Sequence, residues 1–132
     1  MSVHHLQLWV PDLDRATRSW GWLLEALGYE LTRSWDTGRV WRDETTGIVI
    51  EASPDMVPGM LHSRLRPGLN HLAFRVTGTH ELASIVTDGA EHGWRELGAH
   101  HGHPLHGELT VAFLEDQDGF EVELVAPSHP EP

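Results

Sequence analysis

Two histidines and two glutamates occupy matching positions in two similar stretches of the chain. His5 opens "HLQLWV" and His71 opens "HLAFRV", while Glu51 ends "GIVIE" and Glu123 ends "GFEVE". Each glutamate follows its histidine at a similar distance along the chain. Imidazole nitrogens and carboxylate oxygens are ligands for divalent Fe, Mn, Co, Ni and Zn. The pattern therefore predicts one divalent metal ion held by these four side chains.

The same repeat predicts the elements that position the four side chains. Each copy has the order strand, helix, three strands, because strand-like alternation surrounds a stretch in which apolar residues recur at helical spacing. The first module spans about residues 2–53, a proline-rich linker spans 54–67, and the second module spans about 68–127. We expect a single α+β domain over 1–132. Its two βαβββ modules form curved mixed half-sheets around a central cleft, with the helices on the outside.

Side-chain alternation along the strands divides polar residues from apolar ones. In the first strand Leu6, Leu8 and Val10 share the face that the helix covers, so His5 and Gln7 share the front face. Trp9 is on the same front face as His5. The same parity places His71, Arg75, Glu51 and Glu123 on the front faces of their strands. The two fronts are expected to line the cleft.

Composition excludes several classes of function. Twenty acidic residues against nine basic ones give a formal net charge of −11, which argues against binding a nucleic-acid backbone. The chain has no cysteine, and all nine basic residues are arginines, so thiolate and Schiff-base lysine chemistry are excluded. No apolar run has the length of a membrane span, and the first residues do not resemble a signal peptide. We therefore expect a cytoplasmic protein with no membrane or nucleic-acid partner.

These stretches resemble the vicinal oxygen chelate superfamily, which includes glyoxalase I, fosfomycin-resistance enzymes, extradiol dioxygenases and bleomycin-resistance proteins. The resemblance covers nearly the whole chain through "HHLQLWVPDLDRATRSW", "LLEALGYEL", "NHLAFRV" and "VAFLEDQDGFEVELV". It implies paired βαβββ modules that hold a metal through His5, Glu51, His71 and Glu123, an order like that of bacterial glyoxalase I. Fosfomycin-resistance enzymes use three ligands, which match His5, His71 and Glu123.

The resemblance implies a divalent-metal-dependent enzyme that acts on a small oxygenated molecule. An isomerase or lyase would work through a metal-stabilised enolate, with Glu123 as the first candidate for the catalytic base and Glu51 as the second. The match to glyoxalase I is incomplete, since Trp9 stands where that enzyme usually has arginine and Asp55 where it has asparagine. An extradiol dioxygenase is the second enzymatic interpretation. A non-catalytic drug-binding protein of the bleomycin-resistance type is the alternative of a different class.

Candidate substrate-binding residues lie on the front faces or in a histidine-rich loop, "GAHHGHPLHGE". They are Trp9, Gln7, Arg75, Trp41, His103 and His106. The loop histidines either carry protons or belong to a solvated glycine-rich segment. A homodimer is expected, with the cleft closed within one chain or shared between two.

Overall fold

A computed structural model describes residues 1–98 and 109–127. The chain divides into two compact units, Met1–Leu61 and His62–Pro132. The boundary between the units falls inside the linker that the sequence predicts at 54–67. In the described part of the chain, no helix combines the length and the apolar composition needed to cross a membrane.

The first unit contains one helix and a four-stranded mixed sheet. Its elements are β1 (His5–Trp9), α1 (Leu13–Ala26), β2 (Glu30–Trp35), β3 (Gly38–Arg42) and β4 (Gly47–Glu51). The strands lie in the order β1-β4-β3-β2, with β1 parallel to β4 and the other neighbours antiparallel. Because β1 and β4 are adjacent, the first and last strands of the module determine which polar side chains meet.

Helix α1 has a capping side chain at its start and a glycine just after its end. The Asp12 side chain accepts a hydrogen bond from the backbone N–H of Arg15 at 3.0 Å, which satisfies one of the free donors of the first turn. Gly28 follows the helix with φ of +92°, a left-handed conformation that favours glycine. The buried stripe of α1 includes Trp20, which is 1% exposed, and Leu24. This stripe covers the back face of the sheet.

Trp41 belongs to this back face, not to the front. It is 1% exposed, and a side-chain carbon added at Gly21 of α1 would lie 3.1 Å from the indole Cζ2 atom. In the register of β3 and β4, Trp41 is the partner of Ile48, which is also buried. This corrects the expectation that Trp41 faces the cleft: parity along β3 puts Val40, not Trp41, on the front.

The second unit repeats the arrangement. Its elements are β5 (Leu72–Arg75), α2 (Thr79–Gly89), β6 (Arg95–Glu96), β7 (Leu109–Glu115) and β8 (Glu121–Pro127). The strands lie in the order β5-β8-β7-β6, and β5 runs parallel to β8. Val122 and Leu124 of β8 are fully buried. The predicted α+β fold with two βαβββ modules is confirmed.

The main departure from the predicted elements lies at the end of the second helix. The sequence predicts a second helix from about His80 to His92, but α2 ends at Gly89 and a 3-10 turn covers Ala90–His92. Gly93 then takes φ of +88°. The tightened last turn satisfies carbonyl groups that an α-helical end leaves free.

The turn between β7 and β8 depends on one buried carboxylate. Asp116 is 5% exposed, and its Oδ1 atom accepts hydrogen bonds from the backbone N–H groups of Asp118 and Phe120, both at 2.9 Å. Gly119 completes the turn with φ of +88°. The stretch "DQDG" predicts a turn here, and the structure shows that Asp116 anchors it just before the strand that carries Glu123.

We expect Asp116→Ala to lower the free energy of unfolding by about 1 to 3 kcal/mol, because one buried and one partly buried N–H group lose their acceptor. Chemical denaturation monitored by circular dichroism measures the loss. Asp116→Asn is the matched control, since its amide oxygen still accepts from the same donors. Equal losses in the two variants would contradict this role of the hydrogen bonds.

Candidate functional site

The front face of the second unit brings together one predicted histidine and one predicted glutamate. His71 directly precedes β5, and Glu123 of β8 is the register partner of Ala73, two residues after His71. The Nε2 atom of His71 lies 3.0 Å from Oε1 of Glu123. The His71 side chain is 33% exposed and that of Glu123 is 6% exposed. The imidazole is therefore reachable, while the carboxylate lies beneath it.

The hydrogen bonds of Asn70 determine which nitrogen of His71 carries a proton. The Asn70 Nδ2 group donates to the carbonyl of Arg64 at 3.0 Å, so the Oδ1 atom of the amide faces His71. That oxygen lies 2.6 Å from Nδ1 of His71. An amide oxygen only accepts, so Nδ1 must be the donor. The Nε2 atom of a neutral His71 then points its lone pair towards Glu123.

Without a hydrogen between them, the Nε2 lone pair of His71 and the Glu123 oxygen at 3.0 Å repel each other. A positively charged species at this contact removes the repulsion. A proton shared between the two groups has this effect, and so does a metal ion. Two ligand atoms at about 2.1 Å from one metal and at right angles to each other are about 3 Å apart. A hydrogen bond to the far nitrogen is also how metal-binding histidines are usually oriented. The donor set of the second unit therefore fits a metal.

Charged groups surround this pair. Glu121 is 5% exposed, with one oxygen 3.9 Å from Nδ1 of His71 and the other 3.8 Å from Nε of Arg64. Arg64 also pairs with Glu115, which accepts from Arg95 at 2.8 Å. Burial raises the pKa of Glu115, but hydrogen bonds from Arg95 and Arg64 outweigh it and hold that pKa below its usual value. The network keeps Arg64 in place, and with it the carbonyl that orients Asn70.

The first unit does not pair its histidine and glutamate in the same way. The register of β1 and β4 places His5 beside Gly47 and places Glu51 beside Trp9. His5 and Trp9 are four residues apart, or roughly 13 Å along an extended strand. The Nδ1 atom of His5 lies 2.9 Å from Nδ1 of the neighbouring His4. Within this unit, His5 and Glu51 are therefore not brought together.

The Glu51 carboxylate instead accepts hydrogen bonds from three side chains of its own unit. Gln7 Nε2 donates to Oε1 at 3.1 Å. Trp35 Nε1 and Thr37 Oγ1 donate to Oε2 at 3.1 and 2.9 Å. Two donors on one carboxylate oxygen occupy both of its lone pairs. Only Oε1 of Glu51 retains a lone pair towards a further partner.

A two-residue difference in strand register explains why the modules differ. Glu123 pairs with Ala73, two residues after His71, whereas the residue two after His5 is Gln7, and Gln7 pairs with Val49. In the first module, Val49 therefore takes the sheet position that Glu123 has in the second. The number of residues between the histidine and glutamate motifs does not reveal this register, because loops of different length can connect the same strands.

Some of the remaining predicted site residues are exposed on the described strands, and others fall outside the described residues. Trp9 is 44% exposed, and Gln7 and Arg75 are also exposed. Among residues 1–98 and 109–127 no ion pair to Arg75 is found, and no group of three or more His, Asp or Glu side chains is placed to hold a metal. Glu121 lies beside Arg64 and His71. His103 and His106 fall outside the described residues.

Sequence analysis missed the residues of β2 that complete the first front face. Trp35 reaches Glu51 because Gly38 has no side chain: a carbon added there would lie 2.3 Å from the indole Cζ2 atom. Arg33 is on the same face, with its guanidinium carbon 5.8 Å from the centre of the Trp35 ring. The alternation of Arg33 and Trp35 before the "DTG" turn was the available signal.

Comparison with known proteins places the chain among similar sequences and folds. A family model described as Glyoxalase/Bleomycin resistance protein/Dioxygenase superfamily matches residues 4–113. The uncharacterized protein YqjT of Bacillus subtilis (strain 168) is 35% identical over 128 residues, covering 96% of this chain and 99% of that protein. A crystal structure from Bacillus halodurans, provisionally assigned as a glyoxalase, is 31% identical with a TM-score of 0.84, covering 95% of each chain. A lactoylglutathione lyase structure from Agrobacterium tumefaciens shares the fold at 17% identity, with a TM-score of 0.64 and coverage of 95% of this chain and 92% of that one.

We expect Gly38→Ala to lower the free energy of unfolding by about 1 to 3 kcal/mol, because the new methyl group forces the Trp35 indole away from Glu51. In a Trp35→Leu background the same substitution should cost less, since the indole is already gone. Denaturant unfolding of the wild-type protein, the two single variants and the double variant gives the coupling energy between Gly38 and Trp35. Strictly additive losses would contradict the contact.

Proposed function

This chain belongs to the Glyoxalase/Bleomycin resistance protein/Dioxygenase superfamily, and from that premise we propose that it is a divalent-metal-dependent enzyme acting on a small oxygenated molecule. The observation that supports the proposal is the pairing of His71 Nε2 with Glu123 Oε1 at 3.0 Å, with the other imidazole nitrogen bound to Asn70. This combination of an oriented imidazole and a buried carboxylate suits Ni, Co, Mn, Fe or Zn.

We propose His71, Glu123 and His5 as the protein ligands, which are three of the four that the sequence predicts. Glu51 is the less favoured fourth ligand, because Gln7, Trp35 and Thr37 already donate to its two oxygens. The two-residue register difference also separates Glu51 from His5 along their strands. In this proposal Glu51 positions Gln7 and Trp35 on the front of the first sheet.

The bound metal would act as a Lewis acid towards an oxygen of the substrate. Glu123 is the proposed base, taking a proton at its carboxylate and returning it to a neighbouring carbon, as in an isomerase or lyase. Glu51 stands second as base, because three side chains already engage its carboxylate. Dioxygenase chemistry with iron is the second enzymatic candidate. A homodimer and a cytoplasmic location stay predictions from the sequence.

Non-catalytic binding of a small molecule is the candidate function of a different class. The observation that favours it is the aromatic front of the first sheet, where Trp9 is 44% exposed and Trp35 is held by Glu51. Aromatic side chains at a water-accessible face are suited to stacking on a flat ligand. A protein of this class would bind its ligand without a stoichiometric metal.

We expect protein purified without a histidine tag to bind one transition metal per chain, measured by elemental analysis after dialysis. His71→Ala and Glu123→Gln should lose the metal, because each removes a ligand atom. Glu51→Gln should retain it under the three-ligand proposal. His80→Ala, on an exposed position of α2, is the matched control and should also retain it.

Two results would contradict parts of this proposal. A wild-type protein that takes up none of the five metals would exclude a metal-dependent enzyme and favour the binding function. Metal loss in Glu51→Gln would instead favour the four-ligand set. Oxygen consumption with catechols by the iron-loaded protein separates a dioxygenase from an isomerase or lyase.

A further inference from the structure

A pocket of about 430 Å³ lies on the front face of the first sheet. It is lined by Gln7, Arg33, Trp35, Val40 and Val49. All of these residues belong to the first compact unit, and His5, His71 and Glu123 are not among them. The pocket is therefore built without the proposed metal ligands.

Strand register shows why these side chains share one surface. Arg33 pairs with Val40, Val40 with Val49, and Val49 with Gln7, so four of them form a single row across the sheet. Partners in adjacent strands point to the same face. Trp35 follows Arg33 by two residues on the same strand, so it lies beside the row on the same face. The row supplies an apolar centre with an amide at one end and a cation at the other.

The walls of the pocket are held before any ligand arrives. Glu51 accepts from Trp35 Nε1 and from Gln7 Nε2, each at 3.1 Å, and so connects two lining residues on opposite strands of the sheet. Gly38 leaves room for the indole in this position. A wall fixed by hydrogen bonds loses little side-chain entropy when a ligand binds.

Arg33 gives the pocket its charge preference. No carboxylate pairs with Arg33 among the residues that the structure describes, although the chain carries a net charge of −11. Its guanidinium is exposed and lies over the Trp35 ring. No lining residue is acidic. A guanidinium presents a planar pair of donors that matches a carboxylate.

We propose that this pocket binds a small aromatic monocarboxylate. The ring lies against Val40, Val49 and Trp35, and the carboxylate receives hydrogen bonds from Arg33. Gln7 offers an amide oxygen or N–H to a polar substituent on the ring. The volume suits a ligand built on one ring, since binding pockets for small molecules start at about 300 Å³.

Phenylacetate and its neutral isostere phenylacetamide test the proposal by isothermal titration calorimetry on the full chain. We expect saturable binding of phenylacetate and about tenfold weaker binding of the amide, because the charge-assisted hydrogen bonds are lost. Arg33→Gln should weaken phenylacetate binding about tenfold and remove the preference for the acid. Arg33→Lys, which keeps the charge but not the planar fork, should lie between the two.

Arg18→Gln is the matched control, because Arg18 is an exposed arginine of α1 and its loss changes the net charge equally. It should leave the affinity unchanged. Titrations are repeated after treatment with a chelator, and binding should persist, because the pocket is built without the proposed metal ligands. Equal affinity for acid and amide, unchanged binding in Arg33→Gln, or loss of binding on chelation would overturn the proposal. The last result would place the carboxylate on a metal instead of on Arg33.

Discussion

In each module the first strand runs parallel to the last, and the register between these two strands decides which front-face side chains become neighbours. Backbone hydrogen bonds impose that register along the whole strand, so one side chain cannot shift without its neighbours. In the second module the register joins an imidazole to a carboxylate. In the first it joins an amide to a carboxylate. The chemistry available on each front face follows from this difference.

The two front faces consequently have different properties. The face that carries His71 and Glu123 combines an imidazole nitrogen with a buried carboxylate, an arrangement suited to a cation. The face that carries Arg33, Trp35 and Gln7 has a carboxylate that its own donors satisfy, and it presents an indole and a guanidinium to solvent. A duplicated fold has thus produced two front faces with different sets of donors and acceptors.

The architecture was accessible from the sequence because alternation, helical spacing and turn residues are local signals. The duplication and the parity of His71 and Glu123 also followed from local pattern. The pairing of Glu51 with Gln7 did not, because strand register depends on backbone geometry over many residues. The burial of Trp41 could not be predicted either, since an indole can occupy either face of a strand. The structure shows that Gly21 of α1 leaves the room for this indole on the back face.

Asn70 links the imidazole of His71 to the carbonyl of Arg64, a residue in the segment that precedes β5. That segment contributes no strand or helix, so its length is not constrained by either sheet. An insertion between positions 64 and 70 would leave every strand pairing intact and still separate Asn70 from the carbonyl that orients its amide. Length variation among natural homologues at this point would thus separate proteins that keep an oriented imidazole from those that retain only the scaffold.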